Sequence, residues 1–137
     1  MNAMSNEHAV LSIQNLSVQV LGSATGEQVV RNIGFTIAPG ETVCVVGESG
    51  SGKSVTSLAV MGLLPKESLS ACSGQILIDG EDILKATPER LRALRATRMA
   101  MVFQEPMTAL NPVQRVGQQI DEVLRVHTTL SKSARRA

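Results

Sequence analysis

Gly47-Glu48-Ser49-Gly50-Ser51-Gly52-Lys53-Ser54 is the stretch on which the reading of this chain turns. It satisfies G-x-x-x-x-G-K-[ST] at every fixed position. In a chain of 137 residues chance produces that pattern about once in a few hundred sequences. A Gly/Ser-rich turn with an accidental lysine is the bland alternative, and the flanks argue against it. Residues 42–46 (TVCVV) form a β-branched apolar run, expected to be a strand buried on both faces as in a parallel sheet. Cys44 would then be a small core residue. Residues 53–64 are expected to form a helix stopped by Pro65. Strand, glycine-rich loop and helix in that order imply a phosphate site. Gly47 eases the exit from the strand, and Gly50 and Gly52 permit positive φ, so that successive N–H groups converge. A helix beginning near Lys53 adds its N-terminus. Lys53 supplies a point charge to β- and γ-phosphates, and Ser54 a hydroxyl to Mg²⁺.

Composition bounds what else the chain can be. Hydrophobic residues make up 43% and charged residues 18%, the balance of a folding chain. Thirteen basic against twelve acidic side chains leave +1, which gives no global bias toward nucleic acid. Two Phe with no Tyr or Trp leave no platforms for stacking bases. No apolar stretch is long enough to cross a bilayer. The opening MNAMSNEHAV has neither the basic nor the apolar region of a secretory signal. Cys44 and Cys72 stand in no metal or redox spacing, which suits a reducing, cytosolic compartment.

Outward from the loop, residues 11–20 (LSIQNLSVQV) and 28–37 alternate as half-buried strands around a turn at 22–27. Residues 75–83 read as a strand with Asp79-Gly80 as its turn. Thr87-Pro88-Glu89 is a helix start, with Leu91 and Leu94 inward and Arg90, Arg92, Arg95 and Arg98 forming a solvated face, the alternatives being a docking face for acidic loops of a neighbour or for anionic lipid. Residues 99–103 form a second buried-strand run, and 105–112 a loop. Val113, Val116, Ile120, Val123 and His127 then recur at helical spacing. The closing LSKSARRA reads as the opening of a helix that never receives its apolar face, so the chain is expected to be part of a longer one.

The string Val102-Phe103-Gln104-Glu105-Pro106-Met107-Thr108-Ala109-Leu110-Asn111-Pro112, with GESGSGKSVTSLAVMGLL upstream, resembles the ATP-binding subunits of ABC transporters. Importers of the dipeptide, oligopeptide, nickel and glutathione group are the most similar. The resemblance implies an α/β fold: a P-loop NTPase (RecA-like) core with an antiparallel β subdomain, here truncated. It divides the chain into a tail (1–10), the β subdomain with the partial core (11–112) and the start of a helical subdomain (113–137). It implies ATP and Mg²⁺ as cofactors, with Gly47, Glu48, Ser49, Gly50, Ser51, Gly52, Lys53, Ser54 and Val55 on the nucleotide. Lys53 and Gln104 would be catalytic, with Ser54 and Gln104 on the metal. Residues 105–112 would receive the membrane-spanning permease, with Met107 and Leu110 as apolar contacts. A second ATP-binding subunit completes the working pair. An extracytoplasmic (periplasmic or extracellular) substrate-binding protein acts indirectly, nucleic acid is no partner, and the site of action is the cytoplasmic face of the inner membrane.

Three departures from the family pattern qualify that expectation. The stretch near Val20 lacks an aromatic to stack adenine, and Phe35 in the next strand reads as core. Val55 stands where many cassettes carry Thr. No LSGGQ-like signature, Walker B Asp-Glu or switch histidine occurs in these 137 residues. Residues 76–79 (ILID) imitate Walker B, but Gly80 follows, so Asp79 reads as a turn residue. His8 and His127 are not placed to be the switch. The resulting expectation is nucleotide binding without turnover by this stretch alone. A non-catalytic nucleotide-binding or regulatory module is the competing class. A DNA-repair cassette shares the loop but not the FQEPMTALNP string.

Overall fold

The computed structural model describes residues 9–103 and 110–135. The chain divides into two compact units, Met1–Leu91 and Arg92–Ala137.

The first unit is built on a four-stranded antiparallel sheet in the order β2-β1-β3-β4: β1 Leu11–Val20, β2 Gln28–Ile37, β3 Leu69–Ile78 and β4 Glu81–Asp82. β1 is central, and its apolar positions explain why. Leu11 and Ile13 alternate, but Leu16, Val18 and Val20 resume in the opposite phase. An extra residue must therefore be absorbed between them if all are to share a face. The structure absorbs it at Asn15, which adopts φ 50. Both ladders of β1 shift register there, from Ile13↔Phe35 to Leu16↔Ile33 on one side and from Gln14↔Gln75 to Ser17↔Ser73 on the other. Ile13, Leu16, Val18 and Ile76 are fully buried as a result. Gly74 faces the bulge with φ +92, and a Cβ there would lie 2.5 Å from the carbonyl oxygens of both Gln14 and Asn15. β2 has its own irregularity at Asn32, φ 46, whose N–H donates to Ser17 Oγ at 3.0 Å.

Asp79 and Gly80 join β3 to β4 with φ 48 and 82, the positive pair of a two-residue hairpin turn. Asp79 is thus the turn residue expected. The strand expected over 75–83 is instead β3, starting at Leu69, and the short β4, because Ile83 turns into a 3₁₀ segment, Ile83–Lys85. Asp82 caps that segment by accepting from the Leu84 N–H at 3.2 Å. It also pairs with Lys85 at 2.9 Å.

α1 spans Lys53–Val60, shorter than the expected 53–64. Gly62, at φ 63, ends it. Its N–H donates to the Ala59 carbonyl and that of Leu63 to the Leu58 carbonyl, the paired bonds of a Schellman stop. Pro65 only follows.

α2, Pro88–Thr97, begins as read: Thr87 Oγ1 accepts from the Arg90 N–H at 3.3 Å. Thr87→Ala should cost about 1 kcal/mol, measured as a lowered urea midpoint. Leu94 is buried, and Arg90, Arg92 and Arg98 are exposed. Arg90 makes a forked pair with Glu81, Nε–Oε1 2.9 Å and Nη2–Oε2 2.6 Å. The Arg90 bonds and charge hold the Glu81 carboxyl below the usual carboxylate range. A lowered carboxyl contributes stability above its ordinary pKa and loses it as pH falls through the lowered value. Glu81→Gln should therefore lower the thermal midpoint at neutral pH, and the gap from wild type should close below about pH 4. A gap of constant size across that range would contradict the assignment.

Two expected strands are not there. Residues 42–46 form no strand and are largely exposed, with Val46 at 89%, and Cys44 is exposed rather than core. Residues 99–103 likewise form no strand, with Val102 at 93%. A doubly buried strand exists only between hydrogen-bonded neighbours under covering helices. Among the described residues nothing pairs with either run.

In the second unit, α3 is Val116–His127, starting three residues after Val113. Gln119 secures the preceding turn: its Oε1 accepts from the Asn111 N–H, and its Nε2 donates to the carbonyls of Asn111 and Gln114, each at 3.0 Å. The helical spacing is as read, yet its apolar stripe (Val116, Ile120, Val123) is exposed. Ser131 caps the single closing turn, accepting from the Ala134 N–H at 3.3 Å.

Candidate functional site

The loop 47–54 hangs between the exposed run 42–46 and α1. Its geometry follows from its glycines. Gly50 and Gly52 sit at φ 82 and 88, where side chains are strained. Gly52 also needs its missing side chain for packing, since a Cβ would lie 2.6 Å from the Val29 carbonyl oxygen and 3.0 Å from Val30 Cγ2 on β2. The phosphate-type loop is thereby seated against the edge of the antiparallel sheet.

Gly52 is the N-cap of α1, with no side chain capping the helix and no acid in its first turn. The first N–H groups therefore face outward without a side-chain acceptor, at the positive end of the helix dipole. Lys53 curls back over the loop, its Nζ donating to the carbonyls of Gly47 (2.8 Å) and Glu48 (2.7 Å) and to Ser51 Oγ (3.3 Å). Ser54 is exposed in the first turn beside the half-buried Val55, and Glu48 and Ser49 are exposed on the loop. The N–H groups of an uncapped helix start, one ammonium and one exposed hydroxyl make a donor set suited to a polyphosphate with its cation. Mg²⁺ and a nucleotide fit these residues chemically.

Thr56, to which the sequence motif assigns no role, anchors the loop to the first turn of α1. It is buried, its N–H and hydroxyl both reaching the Gly52 carbonyl at 2.8 and 2.9 Å. A threonine four residues past a helix-starting glycine is the signal for it. Gln104 and residues 105–109, expected on the metal and under the permease, lie outside the described residues, as does His8.

A family model described as "ABC transporter" matches residues 30–137, most of the chain. The chain belongs to the ABC transporter family. Among relatives of this ABC chain, the probable D,D-dipeptide transport ATP-binding protein DdpD of Escherichia coli is 47% identical over 128 residues, 93% of this chain and 39% of its own length. The dipeptide transport ATP-binding protein DppD of Bacillus subtilis is 45% identical over 127 residues, covering 93% and 38%. This chain thus spans about two fifths of the length of each of these two relatives. Among solved structures, the ATP-binding cassette MJ0796, a dimer in a post-hydrolysis state bound to ADP and Pi, superposes with a TM-score of 0.74. It is 22% identical over 92% of this chain and 52% of that one. The fold is therefore that of an ABC ATPase cassette, spanning about half of it. Among the described residues of this ABC chain, no helix is long and apolar enough to cross a membrane.

Proposed function

We propose that this chain is the nucleotide-binding part of an ABC importer's ATPase subunit, serving uptake of peptides or related small solutes. The observation that carries it is the loop: Lys53 folded over an uncapped helix start, on a fold shared with a cassette that binds ADP and Pi. The names of DdpD and DppD supply the solute class.

In this reading the N–H groups of residues 50–55 hold the β-phosphate, Lys53 spans the β- and γ-phosphates, and Ser54 turns its hydroxyl to Mg²⁺. Mg²⁺, when bound, neutralises part of the triphosphate charge. Glu48, Ser49 and Ser51 line the loop, and Val55 closes the first turn. Gln104 completes the metal and water contacts, and 105–112 meets the membrane-spanning subunit. With no aromatic near Val20, adenine rests on aliphatic surface, and most affinity resides in the phosphates. The subunit works as one of a pair at the cytoplasmic face of the inner membrane.

These 137 residues alone are expected to bind Mg-ATP without turnover. Titration with a fluorescent ATP analogue, alongside a phosphate-release assay, tests both halves. No saturable binding would refute the reading. Steady phosphate release that survives rigorous purification and vanishes in Lys53→Ala would refute the claim of no turnover.

A further inference from the structure

Every residue from 111 to 120 is exposed except Gln119, which is half-buried. A side-chain amide carries one acceptor oxygen and two N–H donors, and Gln119 commits both of its ends to the turn before α3. Its Oε1 accepts from the Asn111 N–H, and its Nε2 donates to the carbonyls of Asn111 and Gln114, each at 3.0 Å. The turn does not need these bonds for its shape. Asn111 Oδ1 accepts from the Val113 N–H at 3.1 Å, and the Asn111 carbonyl accepts from the Gln114 N–H at 3.2 Å, so residues 111–114 close on themselves. The Gln119 bonds reach back across eight and five positions, and what they fix is the seat of the closed turn on the helix. A carboxylate, which only accepts, or an ammonium, which only donates, could not make the set.

We propose that Gln119 is a positioning residue which fastens the turn at 111–114 onto α3 and thereby fixes where Leu110 meets an apolar segment of the membrane-spanning subunit. The proposal rests on the importer reading of residues 105–112. Leu110 is exposed and directly precedes Asn111, whose N–H and carbonyl are both held by Gln119. Each residue has only two soft backbone dihedrals, so the direction of the Leu110 side chain is set within one residue of a fastened peptide. Without Gln119 the turn would keep its own bonds but lose its seat. Leu110 would then have to be ordered on each encounter, and the cost of that ordering is subtracted from the affinity. Losses of this kind appear mainly as faster release of the partner.

The test uses the subunit expressed from its own gene, purified for one measurement and left on its own cell membranes for the other. Amide hydrogen exchange at Asn111 reads the clamp. It should quicken about three- to ten-fold in Gln119→Met, which keeps the length of the side chain, and in Gln119→Glu, which cannot donate. It should be unchanged in Gln118→Met, because the Gln118 Oε1 serves the Arg115 N–H at the start of α3. Release of the subunit from washed membranes reads the consequence. It should quicken about ten-fold in Leu110→Ala and about three-fold in Gln119→Met. The double variant should release no faster than Leu110→Ala, since a residue that acts through Leu110 has nothing left to position. Unchanged exchange or unchanged release in Gln119→Met, or effects on release that multiply in the double variant, overturn the proposal. Exchange that responds as stated in a subunit whose release is indifferent to Leu110→Ala supports the clamp and overturns the importer reading of 105–112 instead.

Discussion

Lys53→Ala is expected to weaken nucleotide binding by about 10- to 100-fold, the loss that follows from removing hydrogen bonds to a charged group. The reason lies in what else the site offers. Among the described residues of the loop, the other donors are backbone N–H groups and the hydroxyls of Ser49, Ser51 and Ser54, and none of these carries a full charge. Only Lys53 is folded over the loop, at bonding distance from its carbonyls and thus from the space they surround. Lys53→Arg should not restore binding, because a planar fork does not replace a compact ammonium with three rotatable donors. The fold should survive, since the side chain spans exposed loop rather than core. Nucleotide-induced thermal stabilisation reads the result directly. At a nucleotide concentration about 100 times the wild-type dissociation constant, the protein gains about 2.7 kcal/mol, and the variant should gain only about 0.4 to 1.4 kcal/mol. Equal stabilisation of the two would remove Lys53 from the site.

Gly74→Ala is expected to be the most damaging single-methyl change in the first unit, costing about 3 kcal/mol or more. Two independent penalties coincide there. The position sits at φ +92, outside the range comfortable for a side chain, and the new Cβ would meet two carbonyl oxygens at 2.5 Å. Both oxygens belong to the backbone of β1 at its bulge, so neither can swing aside as a flexible side chain would. The central strand would have to separate from β3 where Gln14 and Ser17 pair with Gln75 and Ser73. At roughly 4 °C per kcal/mol, the thermal midpoint should fall by about 12 °C. Gly80→Ala makes a useful companion. Gly80 also has positive φ, but its Cβ would meet nothing within 4 Å, so only the conformational penalty of about 1 kcal/mol applies. Equal losses in the two variants would mean that the close approach at Gly74 is relieved cheaply.

What the sequence made legible was local. β1 and β2 end where alternation placed them, because each strand presents one face to the core and its period is visible without a partner. The positive φ of Gly50 and Gly52 was legible because their turn is specified within eight consecutive residues. The N-cap at Thr87 was legible for the same reason. Residues 42–46 and 99–103 were not, because an apolar run specifies a strand only in company, and what surrounds it is decided by distant segments. The stripe of α3 shows a related limit: period identifies the helix, but no periodicity names what will cover its face. Seating of Gly52 on Val29 was likewise beyond reach, since it joins a loop glycine to a strand carbonyl more than twenty positions earlier.

The arrangement of β2 and β3 has a consequence for how binding at the loop is felt. Residues 38–68, which carry the loop and α1, leave the sheet at Ile37 and re-enter it at Leu69, on opposite flanks of β1. Both ends of the excursion are thus moored to one central strand. Tension at the loop is carried to two strands at once rather than dissipated along a free arm. A protease cut within 38–68 would leave two anchored stubs whose tips no longer share a fixed separation, and the loop would then have to be held in shape by the seat of Gly52, the bonds of Thr56 and the contacts of Lys53.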